Sequence, residues 1–410
     1  MKKLIALLLA TVMVFGLVAC GTTNSNEETK GTDSNSKTIK VGLICIGDEN
    51  DQGYTYNFIR GKEDVTKTLA AEGINVEWVV KYNIGENSTC EDANIELAEE
   101  GCEIIINNSY GFEPYMLKVA PEYPDITFIA CTNQASATDD LKNTHNAFAD
   151  IYEGRYCAGI VAGMKIQEMI DKGEITADEA VIGYVGAFSF AEVISGFTAY
   201  YLGAKNACPS VTMKVQFVGS WSDATEEGNA ASALVDMGCV MISQHSDNST
   251  PATTAQSGGV FHTGYNNDMS TIAPEASLIG TRIDWSVYFA HAIKTIVEGG
   301  ELEQDWTAGM NEGAVVMTTL NESIAAKDTA QKLEDTIKAI NEGTIKVFDS
   351  TTFTVEGAAV TNSFALDTDG DFAPDSEEAV FDGAYNESYF QSAPYFALTI
   401  DGIEWLNSAF

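Results

Sequence analysis

Short apolar runs alternate with helical segments from residue 39 onward. The runs are rich in Val, Ile and Phe and predict buried strands over 39–46, 74–80, 103–107, 126–131 and 144–149. Between them, apolar residues recur every three or four positions, as at Phe58, Ile59, Val65 and Leu69. This alternation predicts a parallel sheet with crossover helices, and therefore an α/β lobe.

The same pattern restarts after residue 149. It predicts helices over 152–170, 191–207 and 224–237, and strands over 181–185, 211–218, 239–244 and 260–265. A chain of 410 residues also exceeds the size at which a single core usually stops growing. We therefore predict two doubly wound parallel-sheet lobes.

Later segments indicate that the chain crosses between the lobes more than once. A strand over 276–281 and a helix over 285–297 are expected to complete the first lobe, and the stretches over 315–319 and 345–348 are expected to return to the second. The expected boundaries are 39–148 plus about 276–310 for lobe one, and 149–275 plus about 311–410 for lobe two. An acidic C-terminal extension starts at about 350. The lobes are expected to meet at a hinge and to form a cleft at the carboxyl ends of their strands, where open α/β sheets bind ligands.

The N-terminus carries a secretory signal. Lys2 and Lys3 precede an apolar run over 4–18, which predicts a signal peptide over 1–19. The run ends in Leu-Val-Ala-Cys, and Cys20 has the place of a lipidated cysteine; the alternative is an ordinary signal with a chance cysteine. Residues 20–38 are polar and predict a flexible tether. We expect a lipid anchor on the extracytoplasmic face of the cell membrane.

Composition excludes several classes of function. The formal charge of −38 argues against binding nucleic acid or anionic membrane surfaces. The chain has no CxxC spacing among its eight cysteines, no P-loop, no HExxH and no GxSxG, and its four histidines are dispersed. The sequence therefore predicts a protein without a cofactor and without an enzymatic centre.

Polar and aromatic residues follow several of the predicted strands. The loops over 48–56, 107–112 and 220–223 each combine Tyr, Phe or Trp with Asp, Asn or Ser. Aromatic rings at such positions stack on flat ligands, and the polar groups bind a ligand's edge.

These loops also carry a resemblance to a known family. The segments that carry it are Asp51-Gln52-Gly53-Tyr54-Thr55-Tyr56, Ser109-Tyr110-Gly111-Phe112, Gly219-Ser220-Trp221-Ser222-Asp223, Gln244-His245-Ser246-Asp247, Gly264-Tyr265-Asn266-Asn267-Asp268-Met269 and Asp284-Trp285-Ser286-Val287-Tyr288-Phe289. In this order, over about residues 39–348, they resemble the basic membrane protein (BMP) family of solute-binding lipoproteins.

The resemblance implies a type I periplasmic-binding-protein fold and capture of a purine base or nucleoside for an ABC importer, with a membrane permease as partner. It implies that Tyr54 and Trp221 stack on the base and that Asp268 binds a polar edge. The other implied ligand-binding residues are Asp51, Thr55, Ser109, Tyr110, Asp223, Gln244, Asp247 and Trp285. We expect a monomer.

Departures from the family leave the choice between base and nucleoside open. The nucleoside-binding branch has Phe and Asn at Tyr54 and Thr55, an Asp near Cys131 or Thr132, and a Lys within 282–285. Those are the groups expected to hold a ribose. Two other functions remain alternatives: a sensor that presents the ligand to a membrane receptor, and a secreted hydrolase that uses paired carboxylates.

One feature lies outside the resemblance. Asp367, Asp369 and Asp371 alternate in an acidic turn and offer a candidate calcium site. Gly370 falls at the fourth position of this run, not at the sixth position of an EF-hand loop. A solvated acidic turn is the alternative, and we favour it.

Overall fold

Two parallel sheets organise residues 37–132, 141–365 and 377–409, the part of the chain that this computed structural model describes. The first sheet has the strand order β2-β1-β3-β4-β5-β11, and every pair in it is parallel. Its strands are β1 Lys37–Ile44, β2 Ile74–Lys81, β3 Ile104–Asn107, β4 Thr127–Ala130, β5 Thr144–Ala147 and β11 Asp305–Trp306.

The second sheet has the order β17-β7-β6-β8-β9-β10-β12. Its strands are β6 Val181–Gly186, β7 Thr212–Phe217, β8 Met241–His245, β9 Phe261–Tyr265, β10 Ser277–Ile283, β12 Val315–Met317 and β17 Ile403–Trp405. β12 is antiparallel to β10, whereas the other pairs are parallel. Two small hairpins pair β13 Thr354–Val355 with β14 Ala358–Ala359, and β15 Val380–Phe381 with β16 Ala384–Tyr385.

Helices cover both sheets. They are α1 Tyr54–Ala71, α2 Ser88–Glu99, α3 Glu113–Val119, α4 Ile151–Asp171, α5 Ala191–Ala207, α6 Ala224–Asp236, α7 Thr250–Ser257, α8 Trp285–Val297 and α9 Thr329–Asn341. α1 and α8 pack on one face of the first sheet through Phe58, Trp285 and Phe289. α4 and α5 pack against each other in the core of the second sheet, where Gly159 and Gly203 let the two backbones approach. This arrangement confirms the predicted α/β fold.

The path of the chain between the sheets differs from the prediction at one place. The predicted strand after residue 276 was assigned to the first lobe, but β10 lies in the second sheet between β9 and β12. The chain returns to the first sheet one element later, through α8 and β11. Residues 345–348 follow α9, and Val347 and Phe348 are buried in the second core.

The C-terminal segment after residue 350 packs on the second core and ends at its sheet edge. Its last strand, β17, pairs with β7, and Phe353, Tyr395 and Phe396 are buried in the core. Over the described ranges, no helix has both the length and the apolar character needed to cross a membrane. The seven cysteines in these ranges are all buried and unpaired.

Candidate functional site

A cavity of about 450 Å³ lies where the carboxyl ends of the two sheets face each other. Every residue that lines it follows or ends a strand, or lies in the helical turn just beyond. The lining residues are Ile46, Tyr54, Ser109, Tyr110, Cys131, Thr132, Phe148, Glu192, Trp221, His245, Asp247, Tyr265 and Asn266.

Tyr54 begins helix α1 and is positioned from two directions. Its hydroxyl donates to the carbonyl of Cys131 at 3.0 Å, so its ring is fixed against the first sheet. Its backbone N–H donates to Oδ1 of Asp247 at 3.0 Å, on the opposite side of the cavity. Burial raises the pKa of the Tyr54 hydroxyl well above its ordinary value, so Tyr54 stays a neutral donor.

Asp51 shapes the loop that delivers Tyr54. Its carboxylate accepts hydrogen bonds from the backbone N–H groups of Gly53, Thr55 and Tyr56, at 2.8, 3.1 and 3.1 Å. The hydroxyl of Thr55 in turn accepts from the N–H of Gly47 at 3.3 Å. Asp51 and Thr55 therefore hold the backbone of this loop and do not line the cavity.

Tyr110 and Thr132 complete the first-sheet side. The ring of Tyr110 stacks on Phe190 of the opposite side, with 5.2 Å between centroids and 16° between planes. Ser109 donates to Oε1 of Glu86 at 2.7 Å. Thr132 donates to Oδ1 of Asn146 at 2.9 Å. The polar groups on this side are thus neutral hydroxyls.

Glu192 is the second residue of helix α5, and its carboxylate is buried at the second-sheet side. Nε2 of His245 lies 2.6 Å from its Oε1, and the hydroxyl of Tyr265 donates to the same oxygen at 3.2 Å. In the described part of the chain both hydrogen bonds to this carboxylate use Oε1. Oε2 is therefore available to a ligand that donates a hydrogen bond.

Asp247 is a second buried carboxyl on this side, with 6% of its surface exposed. Burial, together with the negative charges of Asp51 and Glu227, raises its pKa well above the ordinary value. Its Oδ1 accepts from the N–H of Tyr54 and, at 3.4 Å, from Nδ2 of Asn266. Its own N–H donates to the carbonyl of Trp221 at 2.8 Å.

Trp221 follows strand β7 and closes one end of the cavity. Its ring contacts the edge of Phe188, with centroids 5.0 Å apart, and Phe188 stacks on Phe190 at 5.1 Å. Phe190 also stacks on the ring of Tyr110. A row of aromatic rings therefore spans the mouth from one sheet to the other.

Of the ligand-binding residues predicted from sequence, the structure brings five together around the cavity: Tyr54, Ser109, Tyr110, Trp221 and Asp247. Six others lie outside the lining: Asp51, Thr55, Asp223, Gln244, Asp268 and Trp285.

The residues outside the lining have structural roles. Asp223 caps α6 by accepting from the N–H groups of Thr225 and Glu226. Gln244 donates to the carbonyls of Ser246 and Asn248, and Asp268 accepts from the N–H and hydroxyl of Ser270. Trp285, the first residue of α8, is fully buried, and its ring centroid lies 4.3 Å from that of Phe58 on α1. The two helices touch there because Gly61 has no side chain.

Sequence reasoning did not name Glu192, Tyr265 or Asn266 as individual site residues, nor His245, Ile46, Cys131, Thr132 and Phe148. The missed signal was position: each lies at or just after a strand end, or in the first turn of the following helix. Cys20 and the candidate calcium ligands Asp367, Asp369 and Asp371 fall outside the described residues. Within the described ranges, no cluster of three or more His, Cys, Asp or Glu residues could hold a metal ion.

Comparisons with known proteins agree with this architecture. A purine-binding protein of Brucella abortus is 31% identical over 311 residues, which cover 76% of this chain and 83% of that protein. A putative ABC transporter glucose-binding protein of Haloferax volcanii is 26% identical over 324 residues, covering 78% of this chain and 76% of that protein. A solved ABC transporter solute-binding protein from Aeropyrum pernix superposes with a TM-score of 0.61 at 17% identity, covering 76% of this chain and 93% of that structure.

The family model described as ABC transporter substrate-binding protein, PnrA-like (Bmp), matches residues 38–350. The resemblance inferred from the strand-end loops is thereby confirmed. Members of this family are extracytoplasmic solute-binding proteins that deliver a small molecule to a membrane permease, and they are not enzymes. With its two parallel sheets, the cavity between them and a match over three quarters of its length, this chain belongs to the Bmp family of ABC transporter substrate-binding proteins.

Proposed function

We propose that this chain captures a purine base or nucleoside in the cavity between its sheets while anchored to the membrane by lipid at Cys20. One observation carries the ligand assignment: aromatic rings enclose a cavity whose buried polar groups include two carboxyls, Glu192 and Asp247. A flat ring with N–H donors on its edge complements both features.

The aromatic lining supports a planar ligand. Tyr54, Tyr110, Phe148, Trp221 and Tyr265 come from five different strand ends and together line the cavity. Aromatic pairs contribute about 0.5–1.5 kcal/mol beyond the burial of their area. A purine presents two such faces.

The composition of the lining opposes anionic ligands. Glu192 and Asp247 are buried carboxyls, and the cavity lining in the described ranges contains no Lys or Arg. A phosphate or carboxylate on the ligand would lose its hydration without gaining a cation. The site therefore favours neutral bases and nucleosides over nucleotides and amino acids.

The two relatives differ in the ligand that their names give, and the aromatic lining favours the purine. Glucose has hydroxyl donors for Glu192 and Asp247, but it lacks a flat face for stacking. Thermal-shift and calorimetric titrations should therefore compare adenine, hypoxanthine, guanine and their nucleosides with glucose, ribose and leucine.

At a ligand concentration a hundred times the dissociation constant, binding should stabilise the protein by about 2.7 kcal/mol. Trp221→Ala should weaken binding of the best purine by more than about tenfold, since it removes a stacking face and leaves a cavity. Asp268→Asn, which lies outside the lining, serves as the matched control. Stabilisation by glucose and by no purine would overturn the assignment.

Anchoring is tested separately from the ligand. Wild-type protein should partition with membranes and carry a diacylated N-terminal cysteine in mass spectra. Cys20→Ala should be released or remain uncleaved, because only the thiol accepts the lipid. Wild-type protein that is soluble and cleaved at another residue would contradict the anchor while leaving the ligand proposal intact.

A further inference from the structure

A chain of hydrogen bonds runs from the core of the second sheet to the cavity. It passes from Arg155 through Tyr184 and His245 to Glu192, and only the last two residues line the cavity. We infer that Arg155 fixes the direction of this relay, so that Glu192 faces the ligand as a hydrogen-bond acceptor and selects a purine by an N–H donor. The choice of ligand class rests on the proposed function; the direction of the relay does not.

Arg155 lies on helix α4 and is fully buried. Its Nη2 donates to the hydroxyls of Tyr184 and Ser243, both at 2.9 Å, and its Nη1 donates to the carbonyl of Gly264 at 3.0 Å. Its guanidinium also lies 5.0 to 5.5 Å from the ring centroids of Tyr184, Tyr200 and Tyr265. No carboxylate within the described ranges forms an ion pair with it. A guanidinium can only donate, so it sets the direction of every bond that follows.

The hydroxyl of Tyr184 accepts from Arg155, which leaves its own proton free for Nδ1 of His245, 3.4 Å away, and we assign the proton to that contact. An imidazole nitrogen that accepts carries no proton, which leaves the proton of the neutral ring on Nε2. Nε2 then donates to Oε1 of Glu192 at 2.6 Å.

Tyr265 adds a second donor to Oε1 of Glu192. Oε1 of Glu192 thus accepts two hydrogen bonds from the protein, and Oε2 can accept one from the ligand. A ligand group that can only accept, such as an unprotonated ring nitrogen or a carbonyl, would be repelled there. Adenine and hypoxanthine are suitable probes, because they carry opposite donors and acceptors at ring positions 1 and 6.

The substitution Glu192→Gln tests the direction of the relay. Because His245 and Tyr265 both donate to the same atom, the amide must turn its oxygen toward them and its NH₂ toward the ligand. An acceptor at the ligand becomes a donor, so the ratio of affinities for adenine and hypoxanthine should change by about tenfold or more. An unchanged ratio in a folded variant that binds both bases would overturn the inference.

The relay predicts that a residue outside the cavity restores this selectivity. Adding Tyr184→Phe to Glu192→Gln removes the proton directed at Nδ1, so His245 can change tautomer and accept from the amide, and the Tyr265 hydroxyl can rotate about its C–O bond to accept as well. The affinity ratio should then return toward the wild-type value. Tyr200→Phe is the matched control, because Tyr200 lies under the same guanidinium but bonds to Thr263 and not to His245. If Tyr184→Phe and Tyr200→Phe change the affinity ratio equally, the effect comes from altered packing and the relay is contradicted.

The tautomer of His245 is measurable without any ligand. In ¹⁵N-histidine NMR spectra of the ligand-free protein, assigned with His245→Asn, the ring should show a protonated Nε2 and an accepting Nδ1 near neutral pH. A proton on Nδ1 would contradict the inference whatever the ligand is. If the tautomer is as stated but no purine binds, the proposed function fails and the relay stands.

Discussion

The two walls of the cavity are built from the same kind of strand end but differ in chemistry. The wall from the first sheet presents Tyr54, Ser109, Tyr110, Thr132 and Phe148, whose polar groups are hydroxyls. The wall from the second sheet presents Glu192, His245 and Asp247, all of them ionisable. Both walls therefore shape the cavity and contact the faces of the ligand. Only the second wall has ionisable groups that select a ligand by its hydrogen-bond donors and its charge.

The difference continues behind each wall. Asn94 and Asn107 of the first lobe exchange a pair of amide hydrogen bonds at 2.9 and 3.1 Å, and amides do not titrate. Behind the second wall lie Arg155 and the buried carboxyl of Glu227, which accepts from the hydroxyl of Ser246 at 2.6 Å. Paired amides thus lie behind the first wall. Behind the second wall lies a hydrogen-bond network that contains ionisable groups.

The strongest test of the comparison separates the walls. A methyl group added at Gly53 would lie 2.7 Å from Cα of Asp247, a distance that backbone atoms do not tolerate. Gly53→Ala should push the walls apart and break the bond from the Tyr54 N–H to Asp247. Purine affinity should fall by about a thousandfold, or about 4 kcal/mol.

Calorimetry measures that loss, and small-angle scattering should show no compaction on adding ligand. Gly228→Ala is the matched control, since Gly228 lies within helix α6 away from the cavity and its nearest neighbour is a methyl group of Thr250 at 3.0 Å. Wild-type affinity in Gly53→Ala would show that the walls need not touch.

A second test uses pH and one buried carboxyl behind the second wall, Glu227. Burial raises the pKa of Glu227 from 4.5 to about 7. The folded state then binds the proton more tightly than the unfolded state, so this contribution to stability is complete below the unfolded pKa and is lost as pH rises through about 7. By this group alone, the free energy of unfolding should fall by about 3 kcal/mol between pH 4 and pH 8.

Glu227→Gln should remove that share of the slope, as measured by urea unfolding at several pH values. Buried Glu153 and Glu387, whose pKa values are raised by burial to about 7 and about 8, keep their own shares. Asn94→Ala, behind the first wall, should lower stability equally at every pH. A full slope in Glu227→Gln would mean that Glu227 does not titrate in this range.

The sequence predicted the alternation of strands and helices because burial on both faces of a parallel sheet leaves a continuous apolar run. It did not predict the sheet to which β10 belongs. Ser277–Ile283 is buried on both faces, and such a strand has the same pattern in either sheet. Only the pairing of Thr281 with Tyr265 and with Met317 decides its place.

The site shows the same limit. Tyr54 and Trp221 combine an informative residue type with a strand-end position, whereas Asp247 was predicted only through the resemblance to the family. Glu192 was missed because one glutamate among 60 acidic residues carries no signal until a fold brings His245 to it. Trp285 was predicted to bind ligand because its segment resembles the family, but packing against Phe58 places it in the core. Tertiary contacts, and not residue type, decide that Glu192 lines the cavity and that Trp285 lies in the core.

The smallest expected effect concerns the first wall and bears on the choice between base and nucleoside. Thr132→Val keeps the shape of the side chain and removes the hydroxyl that donates to Asn146. Asn146 keeps its own donations to Asp305 and Ser392, at 3.1 and 2.9 Å, so the wall should stay in place. If the first wall serves as a neutral surface, calorimetric affinity for a purine base should change by less than about threefold, against the larger loss in Trp221→Ala. If Thr132→Val instead lowers the affinity for a nucleoside by more than about tenfold and leaves that for the base unchanged, a sugar hydroxyl bonds to Thr132. The first wall would then also select the ligand by its hydrogen bonds.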